Sequence, residues 1–240
     1  MRRVVVAALA IWLPGGANAQ ASSPEFYHAT WWDAASLAAA GGLYLLPSAL
    51  NLRPDAPTCA PCDPAGLPAI DRWTVRPVVK SADVASGVLL AAVGGWAALV
   101  DARGATRERT LGNLAVLANS ASWTATSSEW LKVLVHRKRP VLYTADAAAA
   151  AQDPDNQRSF PSTHVALAFS AAATYAVLSA RERLPHRTRN LLLLYAGAVG
   201  VGVLRVTAAK HFPTDVAAGA VLGPGIGWLV PTIRHSVRIP

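Results

Sequence analysis

Charge is what this sequence has least of. Asp, Glu, Lys and Arg supply 15% of its 240 residues, well under the quarter or so usual for a soluble domain. A surface that poor in charge argues against a solvated, linker-rich chain, and no stretch has the composition of a linker between two folded halves. Acidic residues are the scarcer sign, 14 against 22 Lys and Arg, leaving a formal charge of +8. The excess does not imply nucleic acid as a partner. The arginines gather in short connections, DARGATRERT (101–110) and RERLPHRTR (181–189), with no interleaved aromatics and no recognition-helix pattern; positive charge there suits loops kept on the cytoplasmic side of a bilayer. Cysteine is nearly absent. Cys59 and Cys62, in TCAPCDP, are too few for a zinc site, lack a thioredoxin-like setting, and precede Asp63 where haem attachment needs histidine. A local disulfide in a proline-rich loop is the expectation, provided that loop is exported.

What the chain does have is apolar residues, 52% of the total, with a mean hydropathy of +0.29. Its start, MRRVVVAALAIWLPGGANAQ, joins Arg2 and Arg3 to an apolar run over 4–13 and the small-x-small triplet Ala17, Asn18, Ala19. This predicts a signal peptide over 1–19 and a mature domain over 20–240. Segments 84–100, 111–131, 164–180, 190–204 and 215–231 approach the length that crosses a hydrocarbon core of roughly 30 Å. All are rich in the small residues that let membrane helices pack closely. The expected fold is therefore all-α, a membrane-embedded bundle of five or six long helices with its site at one end; buried helices of a soluble protein are the alternative. Residues 20–82 are expected to form a periplasmic N-terminal segment and 83–240 the bundle. If loops 101–110 and 181–189 are cytoplasmic, then 132–163 and 205–214 share the outer side. A cleaved signal would also leave the new N-terminus outside, so 34–50 is expected to pack without crossing; an uncleaved, six-span arrangement stays open.

Those two outer segments hold the chain's unusual polar groups. In KVLVHRKRP (132–140), Lys132 and Arg139 are seven residues apart and would share a face if the helix continued. Pro140 biases Arg139 out of helical geometry, placing both cations at a helix mouth, where a forked donor suits a phosphate dianion. In FPSTHV (160–165), Ser162 is placed to cap a helix whose unpaired amides form an anion site, with His164 in the first turn. In LRVTAAKHFPTD (204–215), Pro213 suits the first turn of the last helix, His211 and Asp215 are four apart, and Arg205 adds a cation. A carboxylate beside an imidazole fixes its tautomer and leaves the other nitrogen free as nucleophile.

Taken in order and spacing, these segments resemble the signature of the type 2 phosphatidic acid phosphatase family, which shares its site with bacterial class A acid phosphatases and vanadium haloperoxidases. That pattern is Lys, six residues, Arg-Pro; Pro-Ser-Gly-His; Ser-Arg, five residues, His, three residues, Asp. Thr163 stands where the family has glycine, keeping the amide while its β-branch narrows the pocket, and Leu204 stands where it has serine. The resemblance implies that His211 attacks phosphorus with Asp215 orienting it, that His164 protonates the leaving oxygen and then activates water, and that Lys132, Arg139, Arg205 and the amides near Ser162 and Thr163 hold the equatorial oxygens. No metal or other cofactor is implied, and the surrounding cations disfavour His164, His211 and Asp215 as metal ligands. The expected substrate is a lipid phosphate or diphosphate met at the periplasmic face of a bacterial inner membrane; a soluble periplasmic acid phosphatase is the runner-up, with vanadate-dependent peroxidase chemistry and a non-catalytic lipid-phosphate transporter behind it.

Overall fold

A computed structural model describes residues 25–52, 57–234 and 237–238; the expected signal peptide, 1–19, lies outside them. The long helices are α1 (Trp31–Ala49), α3 (Lys80–Ala102), α4 (Arg107–Val135), α6 (Thr163–Arg181), α7 (Arg187–Thr207) and α8 (Pro213–Ile233), with one-turn helices α2 (Ala69–Arg72) and α5 (Ala147–Ala150) in the connections. A two-residue antiparallel pairing of β1 (Glu25–Phe26) with β2 (Val237–Arg238) is the sole sheet among the described residues. The fold is all-helical. Four helices, α3, α6, α7 and α8, are long and apolar enough to cross a membrane, and side chains such as Val84, Val88, Leu192, Val203 and Val221 are left exposed on them, as lipid contact requires.

The expected span at 111–131 belongs to α4, which is built differently from those four. Its polar residues point inward: Asn113, Asn119, Ser120, Thr124, Thr126 and Ser128 are all buried, and Asn113, Asn119, Thr124 and Thr126 bond to neighbouring helices. Thr124 Oγ1 donates to Ser170 Oγ at 2.9 Å, and Asn113 Nδ2 donates to Asp101 and Glu182 carboxylates at 3.1 and 2.7 Å. Polar groups paired this way inside a bundle satisfy one another instead of facing lipid. Helix α1 runs alongside α4 in the same direction. Asn119 Nδ2 meets Asp33 Oδ1 at 3.3 Å, Trp123 Nε1 meets Ser36 Oγ at 3.0 Å, Thr126 Oγ1 meets the Ala40 carbonyl at 2.8 Å and Trp130 Nε1 meets the Leu43 carbonyl at 3.0 Å. Residues 34–50 thus pack on the bundle along α4.

The apolar core lies between α3, α6 and α7, around Val93, Val165, Ala172, Tyr175, Leu194 and Val201. Helices α6 and α8 approach more closely than side chains would permit. Gly219, Gly223 and Gly227, one turn apart along α8, face the α6 backbone so tightly that a Cβ on them would lie 2.6, 2.1 and 2.4 Å from the carbonyl oxygens of Ser162, Ala166 and Ser170. Backbone-to-backbone seams of this kind set the spacing of two helices without depending on rotamers. The starts of α3, α6 and α8 and the ends of α4 and α7 gather at one end of the bundle. The arginine-bearing connections 103–106 and 182–186 lie at the other, where Arg109 Nε pairs with Glu182 at 2.5 Å.

Candidate active site

Five segments deliver polar groups to the first end. Helix α4 stops at Val135 because His136 turns left-handed (φ 48°, ψ 40°) and its N–H bonds back to the Lys132 carbonyl at 3.1 Å, a common way to close a helix. The helix therefore ends four residues before Arg139, earlier than the end that Pro140 suggested in the sequence. Lys132 sits in the last turn, Arg139 follows on extended backbone (φ −76°, ψ 158°), and the two cations meet through this bend rather than along a helix face. Helix α6 starts at Thr163 with Ser162 at its cap position, as expected, but the Ser162 side chain caps nothing. Its amide donates to the Asp215 carbonyl at 3.0 Å and its buried Oγ has no partner. Ser162 thus fastens the mouth of α6 to that of α8.

His211 and Asp215 do not share a helix face. Pro213 opens α8, and His211 precedes it. The His211 ring is 2% exposed, and its Nδ1 lies 2.7 Å from the Ser159 carbonyl oxygen, against 3.7 Å to Asp215 Oδ2. A carbonyl can only accept, so Nδ1 carries the proton and Nε2 keeps its lone pair. The tautomer is set chiefly by a backbone carbonyl, a donor–acceptor pair the sequence did not disclose. Burial pushes the His211 pKa down to about 3, so the imidazole is neutral around pH 7. Asp215, fully buried, accepts from Ser159 Oγ at 2.5 Å, the Phe212 amide at 2.9 Å and Arg137 Nη1 at 2.6 Å.

A cavity of about 220 Å³ opens at this point, lined by Lys132, Arg139, Thr163, His164, Arg205 and His211 together with Glu129, Asp155, Tyr44, Leu90 and Leu167. Both histidines and all three expected cations therefore border one space, while Ser162 and Asp215 stand behind its wall. Arg205, 3% exposed, is held by the Asp83 carboxylate and by Ser86 Oγ at 3.0 Å. Asp83 also lies 3.5 Å from Lys210 Nζ. Arg139 Nη2 lies 3.7 Å from Asp155, while Nε of Arg139 and of Arg205 has no partner. Buried guanidinium donors left unpaired beside a cavity are ready for an anion. Thr163 Oγ1 is likewise without a partner, so the residue in the glycine position adds a hydroxyl to the amides of the first turn. Chemically, the cavity can receive a tetrahedral oxyanion against a neutral imidazole, with a second imidazole on the same lining.

Sequence reasoning missed Asp71, Asp83, Arg137 and Ser159. Arg137 joins Asp71 at 2.6 Å as well as Asp215, and Ser159 sits one residue before the FPSTHV stretch, where only its neighbourhood hinted at a role. Cys59 and Cys62 are joined, with Cα atoms 4.9 Å apart, and the Cys62 amide donates to the Leu142 carbonyl at 2.8 Å.

The match to a protein-family model falls on the same half of the chain. Residues 112–238 match the model of the PAP2 superfamily. No curated protein matches. Among solved structures, the transmembrane PAP2 type phosphatidylglycerolphosphate phosphatase of Bacillus subtilis is 19% identical with a TM-score of 0.44, over 85% of this chain and 96% of that one. With more than half its length matched by the family model, and the motif histidines and cations bordering one cavity, the chain belongs to the PAP2 superfamily.

Proposed function

We propose that this chain is a metal-independent phosphatase that hydrolyses a lipid phosphate or diphosphate through a phosphohistidine, at a site opening on the periplasmic face. Membership of the superfamily makes it a phosphoric ester hydrolase; the observation that carries the mechanism is the His211 ring, buried, neutral and bonded through Nδ1 to a carbonyl, in the cavity that also holds His164 and three cations. The His211 Nε2 lone pair forms the N–P bond as the P–O bond to the leaving group breaks, and protonated His164 gives its proton to that oxygen. His164 then takes a proton from water, whose oxygen bonds to phosphorus as the N–P bond breaks, returning His211 and releasing phosphate. Lys132, Arg139 and Arg205 bear the charge on the equatorial oxygens.

Two features support a lipid substrate. The cavity wall continues into Tyr44, Leu90 and Leu167, an apolar side suited to the start of an acyl or prenyl chain, and four helices suit a bilayer. The outward orientation is supported by the arginine-rich connections at the end opposite the site. The test is phosphate release by purified protein from a panel of lipid and water-soluble phosphates, with His211→Ala beside the wild type. Wild-type activity is expected on the lipids and none for His211→Ala; equal rates would remove His211 from the chemistry, and preference for soluble esters would remove the lipid.

A further inference from the structure

The Asp71–Arg137 pair is not part of the chemistry described above, yet both residues are wired to the nucleophile's support. Arg137 reaches that support twice. Its backbone carbonyl accepts from the Ser159 amide at 2.7 Å, and its Nη1 donates to Asp215 Oδ1 at 2.6 Å, while Asp215 Oδ2 accepts from Ser159 Oγ at 2.5 Å. Ser159 is the residue whose carbonyl takes the His211 Nδ1 proton at 2.7 Å. The guanidinium is itself held in place. Its carbon lies 4.4 Å from the centre of the Phe212 ring, the residue following His211. Nη1 also donates to Thr214 Oγ1 at 2.5 Å, and Nη2 donates to Asp71 Oδ2 at 2.6 Å. Asp71 in turn accepts from the Thr214 amide at 3.2 Å and its hydroxyl at 2.7 Å, in the first turn of α8.

Two carboxylates, each 0% exposed, thus share one planar cation. Burying a second carboxylate is costly unless its partner needs it. Here Asp71 occupies the arm of the fork that Asp215 does not, so the guanidinium plane can be satisfied only when it faces both. Resting on the phosphohistidine reading, we propose that Arg137 is a positioning residue for His211, acting through Asp215 and Ser159, and that Asp71 orients Arg137. The connection between α1 and α3, which carries Asp71 on α2, becomes a support of the nucleophile instead of a spacer.

The experiment compares wild type with Arg137→Gln, Arg137→Lys and Asp71→Asn, reading kcat, KM and competitive inhibition by inorganic phosphate, which binds through cations none of these changes touches. A lost charge-assisted bond to the support should cut kcat on the order of 10- to 100-fold in Arg137→Gln, with KM and phosphate inhibition unchanged. Arg137→Lys should recover part of that loss, since it restores charge without the fork, and Asp71→Asn should lower kcat in the same sense. Wild-type kcat in Arg137→Gln or in Asp71→Asn overturns the proposal. So does a rise in KM alone, which would put Arg137 on the substrate, or a parallel loss of phosphate inhibition in both Arg137→Gln and Asp71→Asn, which would make the pair a clamp on the fold. An inactive wild type refutes the phosphatase reading itself and this inference with it.

Discussion

Replacing Gly223 with alanine adds one methyl group, and the geometry says where it must go. The new Cβ would sit 2.1 Å from the Ala166 carbonyl oxygen and 2.9 Å from its carbon. Neither is the end of a flexible side chain, so relief requires α6 and α8 to part by about 1 Å before ordinary carbon–oxygen contact is restored. Overfilling a packed seam costs about 1–3 kcal/mol of stability. The functional cost should be larger than the structural one. Ala166 lies two residues beyond His164, and α8 begins two residues beyond His211, so the parting is delivered to the gap between the two imidazoles. A displacement of that size at a reacting centre costs roughly 10²-fold in rate. The assay is kcat for phosphate release from a detergent-dispersed lipid phosphate, normalised to the folded fraction. Gly225→Ala is the control, since nothing lies within 4 Å of its added Cβ; it should keep full activity and gain a little stability from helix propensity. A Gly223→Ala enzyme with wild-type kcat and thermal stability would refute the claim that the α6–α8 seam sets the site.

Lys132→Ala and Arg205→Ala should each lower turnover on the order of 10²-fold, the usual loss for a charge-stabilising donor; an unchanged rate would remove that residue from the cavity's function. Activity should survive strong chelators and fall with vanadate, and loss on chelation would point to a metal instead. The His211 pKa near 3, against 6.5 for the free side chain, means the unfolded chain binds a proton that the folded chain refuses between those values. Stability should therefore drop as pH falls through that window, by about 1.4 kcal/mol per unit from this one ring. Unfolding titrations in mixed micelles at pH 6 and pH 4 should show His211→Asn with a shallower pH slope than the wild type, and identical slopes would contradict the burial argument.

The candidate site residues were legible because their spacing is local: Lys132 with Arg139, Ser162 with His164, and His211 with Asp215 each fall within eight positions. Residues that hold them were not. Asp83 reaches Arg205 across 122 positions, and Asp71 reaches Thr214 across 143, and no periodicity announces a carboxylate's partner at such range. Arg137 was visible only as one more cation in a basic cluster. The sequence located the end of α4 by Pro140, yet the chain turns earlier, at His136, whose left-handed backbone leaves no compositional mark. The α4 polar residues lowered its apparent fitness as a span because averaged hydropathy does not register which way a side chain points; buried Asn113 and Thr124 face other helices.

Because α1 runs beside α4 in the same direction, the six long helices among the described residues alternate in direction, and their even number brings the chain back to the end of the bundle from which it set out. The β1–β2 pairing and the bond from Tyr27 Oη to the Pro231 carbonyl at 2.7 Å tie those two ends together. Parity then sets two sequence expectations against each other. With the site facing outward as proposed, Phe26 and Tyr27 would lie at the inner end of the bundle, whereas a cleaved signal would leave the new N-terminus outside.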